Sequence, residues 1–365
     1  MCSSMLGSLV ACGLALLVSM QSWALPPIPT ESGFRGSLRV AMNVTDAETN
    51  LVKGIPLGDL GKERVSSVTR SPKSNDDVFL SPAGSFSYTF ADQQLQLFLS
   101  GGPERLVTLE TLQEIGVRKA FDTLGVFSLG YVTSGIVPQE VWEDPYDATT
   151  ARDDTDQEFG GARFVWDKIL GLPIEFLFQW RDMDIDKERS GAALVSAGTL
   201  TAEQATLLER DGDDYRTELR YTWQKSRREV FNPYVGYTKA DRDGDAVKNE
   251  GVYVGLDAAY FGGPLRVLGR LRVGNRDYDE RNPVYGRRTD TDWYEIALNA
   301  TLALPFGNGR WSAVGGVAYA EDNSNVRFHD QRILLFQLGA QYRFGKLARR
   351  GGPPGGRPGG AGERP

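Results

Sequence analysis

Cysteine and histidine are scarce in this 365-residue chain, which excludes several kinds of site. Both cysteines, Cys2 and Cys12, precede residue 25, so the rest of the chain has no disulfide framework and no thiolate metal site. The single histidine, His329, cannot make a histidine-rich metal centre, and no nucleophile motif surrounds it. We therefore expect no enzyme and no cofactor, with His329 in a solvated loop.

The chain also lacks excess positive charge and, after its start, long apolar runs. The net charge of -7 argues against a nucleic-acid partner, since binding phosphates needs a basic surface. Residues 1–24 are uncharged and end in Ser22-Trp23-Ala24, a small-x-small pattern that predicts a cleaved signal peptide. A lipoprotein box ending at Cys12 and a retained membrane helix remain as alternatives. No later segment is apolar enough for a membrane helix.

What the chain has instead is alternation with a period of two, which is typical of β-strands. In the last such segment the apolar face and the mostly polar face separate cleanly. The apolar set is Leu334, Phe336, Leu338, Ala340, Tyr342 and Phe344, and the other set is Leu335, Gln337, Gly339, Gln341 and Arg343. One face suits lipid and the other suits water, so this segment predicts the closing strand of a membrane β-barrel.

About fourteen such segments follow one another, with short turns and long loops in alternation. This predicts an all-β fold, a transmembrane antiparallel up-and-down barrel in the outer membrane of a Gram-negative cell, with both termini periplasmic. We assign residues 25–32 to a short periplasmic segment, 33–344 to the barrel and 345–365 to a disordered Gly/Pro/Arg-rich tail. Two details are specific: residues 105–119 form one strand, and a capping box at Thr201 and Gln204 begins a helix over 202–210 that Gly212 stops.

Several short motifs resemble an uncharacterised family of proteobacterial outer-membrane β-barrels, domain of unknown function 2860. They are residues 32–37, 140–146, 200–204, 241–246, 282–286 and the terminal Tyr342-Arg343-Phe344. The resemblance implies a fold and a location without an established activity. It also implies that Tyr342 and Phe344 are the signal that the barrel-assembly machinery reads, and that the barrel contacts outer-membrane lipid and lipopolysaccharide.

Charged residues alternate with the apolar positions and are predicted to face the interior. A charge facing lipid at the midplane would cost about 2 to 4 kcal/mol. The predicted pore-lining set is Arg216, Glu218, Arg220, Arg266, Arg270, Arg272, Arg276, Glu110, Glu114, Glu175 and Glu295. Walls of charge favour a passive porin-like channel for small polar solutes. The alternative is that these charges pair and fill the lumen of a non-conducting barrel that acts through its acidic loops; an outer-membrane enzyme is a distant third.

A weak candidate for a metal site is the acidic stretch Asp241, Asp243 and Asp245. Its carboxylate density suits calcium, but Gly244 comes too early for an EF-hand loop. Solvated turns explain the same pattern, so we expect no dedicated metal site there and at most weak divalent binding.

Overall fold

The computed structural model describes residues 27–55, 57–134 and 138–345. The predicted signal peptide (1–24) and the tail after Gly345 lie outside these residues. Within them, no helix is long and apolar enough to cross a membrane.

Fourteen long strands form a closed antiparallel barrel in which each strand pairs with the next along the chain, as predicted. The ring closes because the last strand pairs with the first, from Arg35 opposite Gly345 to Glu48 opposite Arg332. The strands are β1 Gly33–Glu48, β2 Ser74–Phe90, β3 Leu95–Arg105, β4 Glu110–Phe121, β5 Gly125–Thr133, β6 Asp154–Asp167, β7 Ile174–Ile185, β8 Gly212–Tyr221, β9 Glu229–Arg242, β10 Asn249–Gly262, β11 Leu265–Tyr278, β12 Thr291–Ala303, β13 Trp311–Ser324 and β14 Gln331–Gly345.

The two ends of the barrel differ. At one end, which we call the turn end, the connections are short and include the 3-10 turns Ala91–Gln93, Ile169–Gly171 and Gly307–Gly309. The first and last strands also begin and finish there. At the other end, the loop end, six connections cover residues 49–73, 134–153, 186–211, 243–248, 279–290 and 325–330, and four of them have 12 residues or more.

The outer face is apolar, and the inner face is mostly polar. Outward-facing Val40, Leu80 and Leu338 are more than half exposed, as lipid-facing side chains are, whereas inward-facing Asn43 and Gln337 are buried and hydrogen-bonded to each other at 2.8 Å. At the turn end, Phe344 stacks on Phe34 with ring centroids 5.5 Å apart. This alternation is what a membrane barrel requires.

One hairpin leaves the wall. β2 pairs with β3 only as far as Phe86 opposite Leu99, and β4 pairs with β5 only from Gln113 onward, so residues 100–112 pair with neither β2 nor β5. These residues, which we call the lumen hairpin, bend into the barrel at Gly101-Gly102-Pro103. Glycine permits a close approach, and proline is tolerated where no ladder hydrogen bond is needed. The predicted single strand over 105–119 is therefore wrong, because its first part is the turn at the hairpin tip.

Short strands from two loops line the wall above the hairpin. Val52–Ile55 pairs with Gln139–Trp142, which in turn pairs with β6. Gly58–Asp59 pairs with Val52–Ile55 and lies against β2, where the Asp59 N–H donates to Asp77 at 2.7 Å. The fourth short strand, Trp223–Gln224, extends β8.

Two short helices lie in the loop 186–211. α1 is Ala192–Ser196, and α2 is Ala202–Thr206. The predicted capping box is confirmed, since the Gln204 N–H donates to Thr201 Oγ1 at 3.2 Å and the Thr201 N–H donates to Gln204 Oε1 at 2.9 Å. The helix is shorter than predicted, and Gly212 begins β8 rather than stopping it. The 3-10 turn Arg327–His329 completes the loop end.

Candidate functional site

The lumen is the candidate site, and every predicted pore-lining residue lies on its side of the sheet. Ten of the eleven are on the wall strands, as expected. Glu110 is the exception, because it lies on the lumen hairpin rather than on a wall. The eleven side chains face the lumen in the structure, and the alternation did not predict the hairpin that carries Glu110.

The lumen hairpin is held by ion pairs to one side of the wall. Glu104 accepts from Arg163 at 3.1 Å and from Arg216 at 2.7 Å. Glu110 pairs with Arg181. A cavity of about 90 Å³ remains beside these pairs and has room for a few water molecules. Charge-assisted bonds of this kind are among the strongest that side chains make, so they fix the hairpin's position.

The opposite face of the hairpin is apolar and packs on the other side of the wall. Its buried side chains Leu106, Val107 and Leu109 join one hydrophobic cluster with Ala297, Ala318, Ile333, Leu335 and Phe79 of the wall strands. Only about 30 Å³ remains open in this region. The hairpin therefore touches both sides of the lumen and divides it.

Most of the predicted arginine row is neutralised by carboxylates, of which Glu295 was predicted to line the pore and Asp257 and Asp322 were not. Arg270 pairs with Asp257 at 2.8 Å, Arg272 with Glu295, and Arg276 with Asp322 at 2.8 Å. Asp257 and Asp322 occupy inward-facing positions in the alternation of their strands. The alternation could therefore have identified them as lumen residues. Arg266, at the start of β11, has no such pair among the described residues.

The remaining predicted charges form a second network in the lumen. Arg220 contacts Asp257 at 2.9 Å, Glu218 at 3.2 Å and Glu175 at 3.6 Å. Arg216 also pairs with Glu218. Glu114 of β4 pairs with Arg163 at 3.1 Å. The charges thus bind one another across adjacent strands.

The loop end is covered by a cap in which all six loops pack together. Its buried cluster contains Tyr146, Leu200, Leu208, Ala246, Val326 and Phe328, with Leu51 and Tyr285 packed against it. Four of the motifs that carried the family resemblance, residues 140–146, 200–204, 241–246 and 282–286, contribute residues to this cap or adjoin it. For example, Asn282 donates to the Tyr146 hydroxyl at 3.2 Å.

Two charged side chains tie the cap's backbone together. Arg152 donates to the carbonyls of Asn50 at 2.5 Å and Pro145 at 3.1 Å, and its guanidinium lies 4.2 Å from the Trp142 ring centroid. Burial lowers the pKa of Arg152 to about 10, so it stays charged at neutral pH. Asp144 accepts from the N–H groups at the start of α1.

The expectation of a solvated His329 is wrong. Its side chain is 8% exposed and lies among the rings of Tyr146, Tyr285 and Phe328, at centroid distances of 5.5 to 6.3 Å. Burial lowers the pKa of His329 to about 4. The residue is neutral at physiological pH because the loops pack around it, a long-range effect that the local sequence does not encode.

The weak metal candidate does not assemble a carboxylate cage. Lys248 lies 2.7 Å from Asp245 and 3.8 Å from Asp241, so a cation of the chain already stands between them. No three potential ligands gather for a metal ion in the described part of the chain.

The closed fourteen-stranded ring with an apolar outer face defines an outer-membrane-type β-barrel. Solved structures with this fold include OmpT of Vibrio cholerae with loop L8 deleted (TM-score 0.39, 9% identity, covering 86% of this chain and 99% of that chain) and the TodX monoaromatic hydrocarbon channel mutant (0.44, 9%, 86% and 90%). The channel DcaP of Acinetobacter baumannii is similar to the same extent (0.39, 11%, 86% and 97%).

The chain belongs to the family described as "Protein of unknown function (DUF2860)", which matches residues 33–343. No curated protein matches it.

Proposed function

We propose that this protein is an integral outer-membrane barrel, with its loop end extracellular, and a passive porin-like channel for small polar solutes that the lumen hairpin holds closed. The observation that carries the proposal is that residues 100–112 pair with neither neighbouring strand. The hairpin can therefore move without opening the wall.

The contacts of the hairpin fit such a role. Once water reaches the hairpin, it competes with the ion pairs that Glu104 and Glu110 make with the wall. The apolar face of the hairpin is held by packing alone. Below it, the lumen keeps paired charges rather than an apolar filling, which suits passage of polar solutes.

A non-conducting barrel that acts through its loops is the second candidate, and the cap favours it. Six loops that share one hydrophobic core make a defined surface, which a simple pore does not need. We further propose that the protein is not an enzyme. The Nε2 atom of its only histidine, His329, has no hydrogen-bond partner among the described residues, so no nucleophile is paired with it as in a catalytic triad.

The test is single-channel conductance in a planar bilayer, with the double variant Glu104→Gln/Glu110→Gln compared with the wild type. We expect a mostly closed wild type and a higher open probability in the variant, because the hairpin loses its charged anchors. The matched control removes two exposed loop carboxylates, Asp279→Asn/Glu280→Gln, and should leave the wild-type behaviour unchanged.

A second variant replaces residues 102–111 with a short Gly-Ser turn. Folding is checked by the faster gel migration of the unheated barrel. If this barrel folds and still carries no current, the channel proposal fails and the non-conducting barrel is favoured.

A further inference from the structure

We propose that the turn end of the lumen holds an oxyanion-binding site made by Arg39, Arg266 and Arg343 with the hydroxyl of Ser312. Its ligand is a small solute or headgroup that carries a phosphate or carboxylate. The site lies at the opposite end of the lumen from the cap. It does not depend on whether the barrel conducts.

The strand pairing places these side chains on one inner face at the turn end. Arg39 on β1 is directly opposite Gln341 on β14, and Gln341 is directly opposite Ser312 on β13. Side chains directly opposite each other on one face have Cβ atoms about 4.5–5.5 Å apart. Arg343 is two residues further along β14 and so shares this inward face. Arg266 on β11 is opposite Thr301 on β12, and Thr301 is opposite Val314 on β13, two residues from Ser312, so Arg266 faces the same end of the lumen.

These arginines differ from the others in the lumen. Arg270, Arg272 and Arg276, on the same strand as Arg266, each have a carboxylate partner. Among the described residues, no carboxylate lies within ion-pair distance of Arg39, Arg266 or Arg343. Like charges brought together without a counter-charge raise the local concentration of anions.

Unused donors mark the same place. The Nε atoms of all three arginines and the Ser312 Oγ are buried from solvent without a hydrogen-bond partner in the described structure. Leaving a buried donor unpaired is unfavourable, so four on one face favour a ligand that accepts hydrogen bonds.

Two contacts hold the guanidinium groups in place. Arg343 donates to the Gly309 carbonyl at 3.2 Å, and the Arg266 guanidinium lies 5.5 Å from the Phe261 ring centroid. A planar guanidinium binds carboxylate or phosphate oxygens in pairs, and Ser312 adds a hydroxyl donor. All three arginines remain partly exposed, so an ion in the lumen can reach them.

The experiment is isothermal titration of the full-length protein in detergent at low ionic strength, with inorganic phosphate and acetate as separate probes. We expect saturable binding of one of them, and the stronger probe tells whether the site prefers phosphate or carboxylate. The double variant Arg266→Gln/Arg343→Gln should weaken Kd by about tenfold or more, equivalent to about 1.4 kcal/mol. The matched control is Arg227→Gln/Arg228→Gln, two exposed arginines at the same end of the barrel, which should bind like the wild type.

A second measurement needs no variant. Phenylglyoxal modifies accessible guanidinium groups, and bound anion should protect Arg266 and Arg343 but not Arg227 in peptides mapped by mass spectrometry. The proposal is overturned if neither anion binds saturably, if the control double variant loses binding equally, or if the anion protects none of the three proposed arginines.

Discussion

A buried arginine at the loop end and one at the turn end of this barrel have different surroundings. At the loop end, Arg152 reaches the backbone carbonyls of Asn50 and Pro145, which belong to two different loops, and lies on Trp142. At the turn end, Arg343 reaches one carbonyl and its Nε has no partner among the described residues. Both arginines are buried at least in part, so the difference lies in what the chain supplies around them.

The difference follows from the connections. Long loops exist only at one end, and each brings spare carbonyls and side chains that can satisfy a neighbour's charge. The short turns at the other end have no such surplus. Groups that are satisfied internally make a rigid structure, whereas unsatisfied ones stay available for a ligand. We therefore expect substitutions at the loop end to act on stability and those at the turn end on ion binding.

The largest effect should come from Arg152→Ala. It leaves the buried carbonyls of Asn50 and Pro145 without their donor, which should destabilise the cap by about 1 to 3 kcal/mol for each carbonyl. The measurement is proteolytic cleavage of the loops in the folded, heat-modifiable barrel. Arg327→Ala, an exposed arginine in the same cap, is the control and should leave cleavage slow. Equal cleavage in the two variants would show that Arg152 does not hold the cap.

The second effect is a pH dependence set by His329. Its pKa in the folded cap is about 4, below the ordinary 6.5, so the opened cap takes up a proton at a pH where the closed cap does not. Stability from the neutral form is therefore fully present above about pH 6.5 and is lost as the pH falls towards 4, by about 3 kcal/mol in all. The groups nearest to it are the rings of Tyr146, Tyr285 and Phe328, with Asp330 next in the chain.

Hydrogen exchange of the loop amides, corrected for intrinsic rates, measures this dependence between pH 7 and 4. The variant His329→Leu should flatten most of it. An unchanged slope in the variant would assign the pH dependence to carboxylates such as Asp330, whose pKa burial raises.

The sequence predicted the barrel wall well because alternation is local. In β7, Phe178 and Trp180 face out while Glu175 and Gln179 are buried inside, as their parity requires. Strand period states which face a residue takes. It does not state which residues that face will contact in the folded protein.

This limit explains the errors. Val107 and Leu109 continue the alternation of Ile115, so a period of two could not reveal that residues 100–112 leave the wall and enter the lumen. The partner of Arg270 is Asp257 on the neighbouring strand β10, and which residues face each other across two strands depends on register rather than on local pattern. His329 is buried by loops distant in sequence. The motifs of the cap were found as a family resemblance, yet their meeting in space depends on all six loops.

The third prediction concerns closure of the ring at the turn end. Phe344 packs on Phe34 and Phe86, and its ring fills the space beside Gly36, where a side chain would collide with it. Phe344→Ala should lower the free energy of unfolding by about 2 kcal/mol and reduce the yield of folded barrel. Phe336→Ala, on the outward face of the same strand but away from this cluster, is the comparison.

Deletion of the tail is the companion test. Gly345 pairs with Arg35, so the deletion should begin at residue 346 to keep the strand intact. We expect assembly to continue without the tail. Loss of assembly on this deletion, together with normal assembly of Phe344→Ala, would refute Phe344 as the signal.

The smallest effect is on ion selectivity, and it separates the paired arginines from the unpaired ones. Arg272 is neutralised by Glu295, so removing both with Arg272→Gln/Glu295→Gln changes no net charge in the lumen. Arg266→Gln removes one uncompensated charge, worth about 1 kcal/mol or less to a passing anion in a wetted pore. In the hairpin-shortened barrel, the reversal potential across a salt gradient should therefore shift toward cations for Arg266→Gln and stay unchanged for the neutral pair. The shift should fade near 1 M salt, where the Debye length is about 3 Å. Equal shifts in the two variants would mean that pairing does not decide which arginines an ion senses.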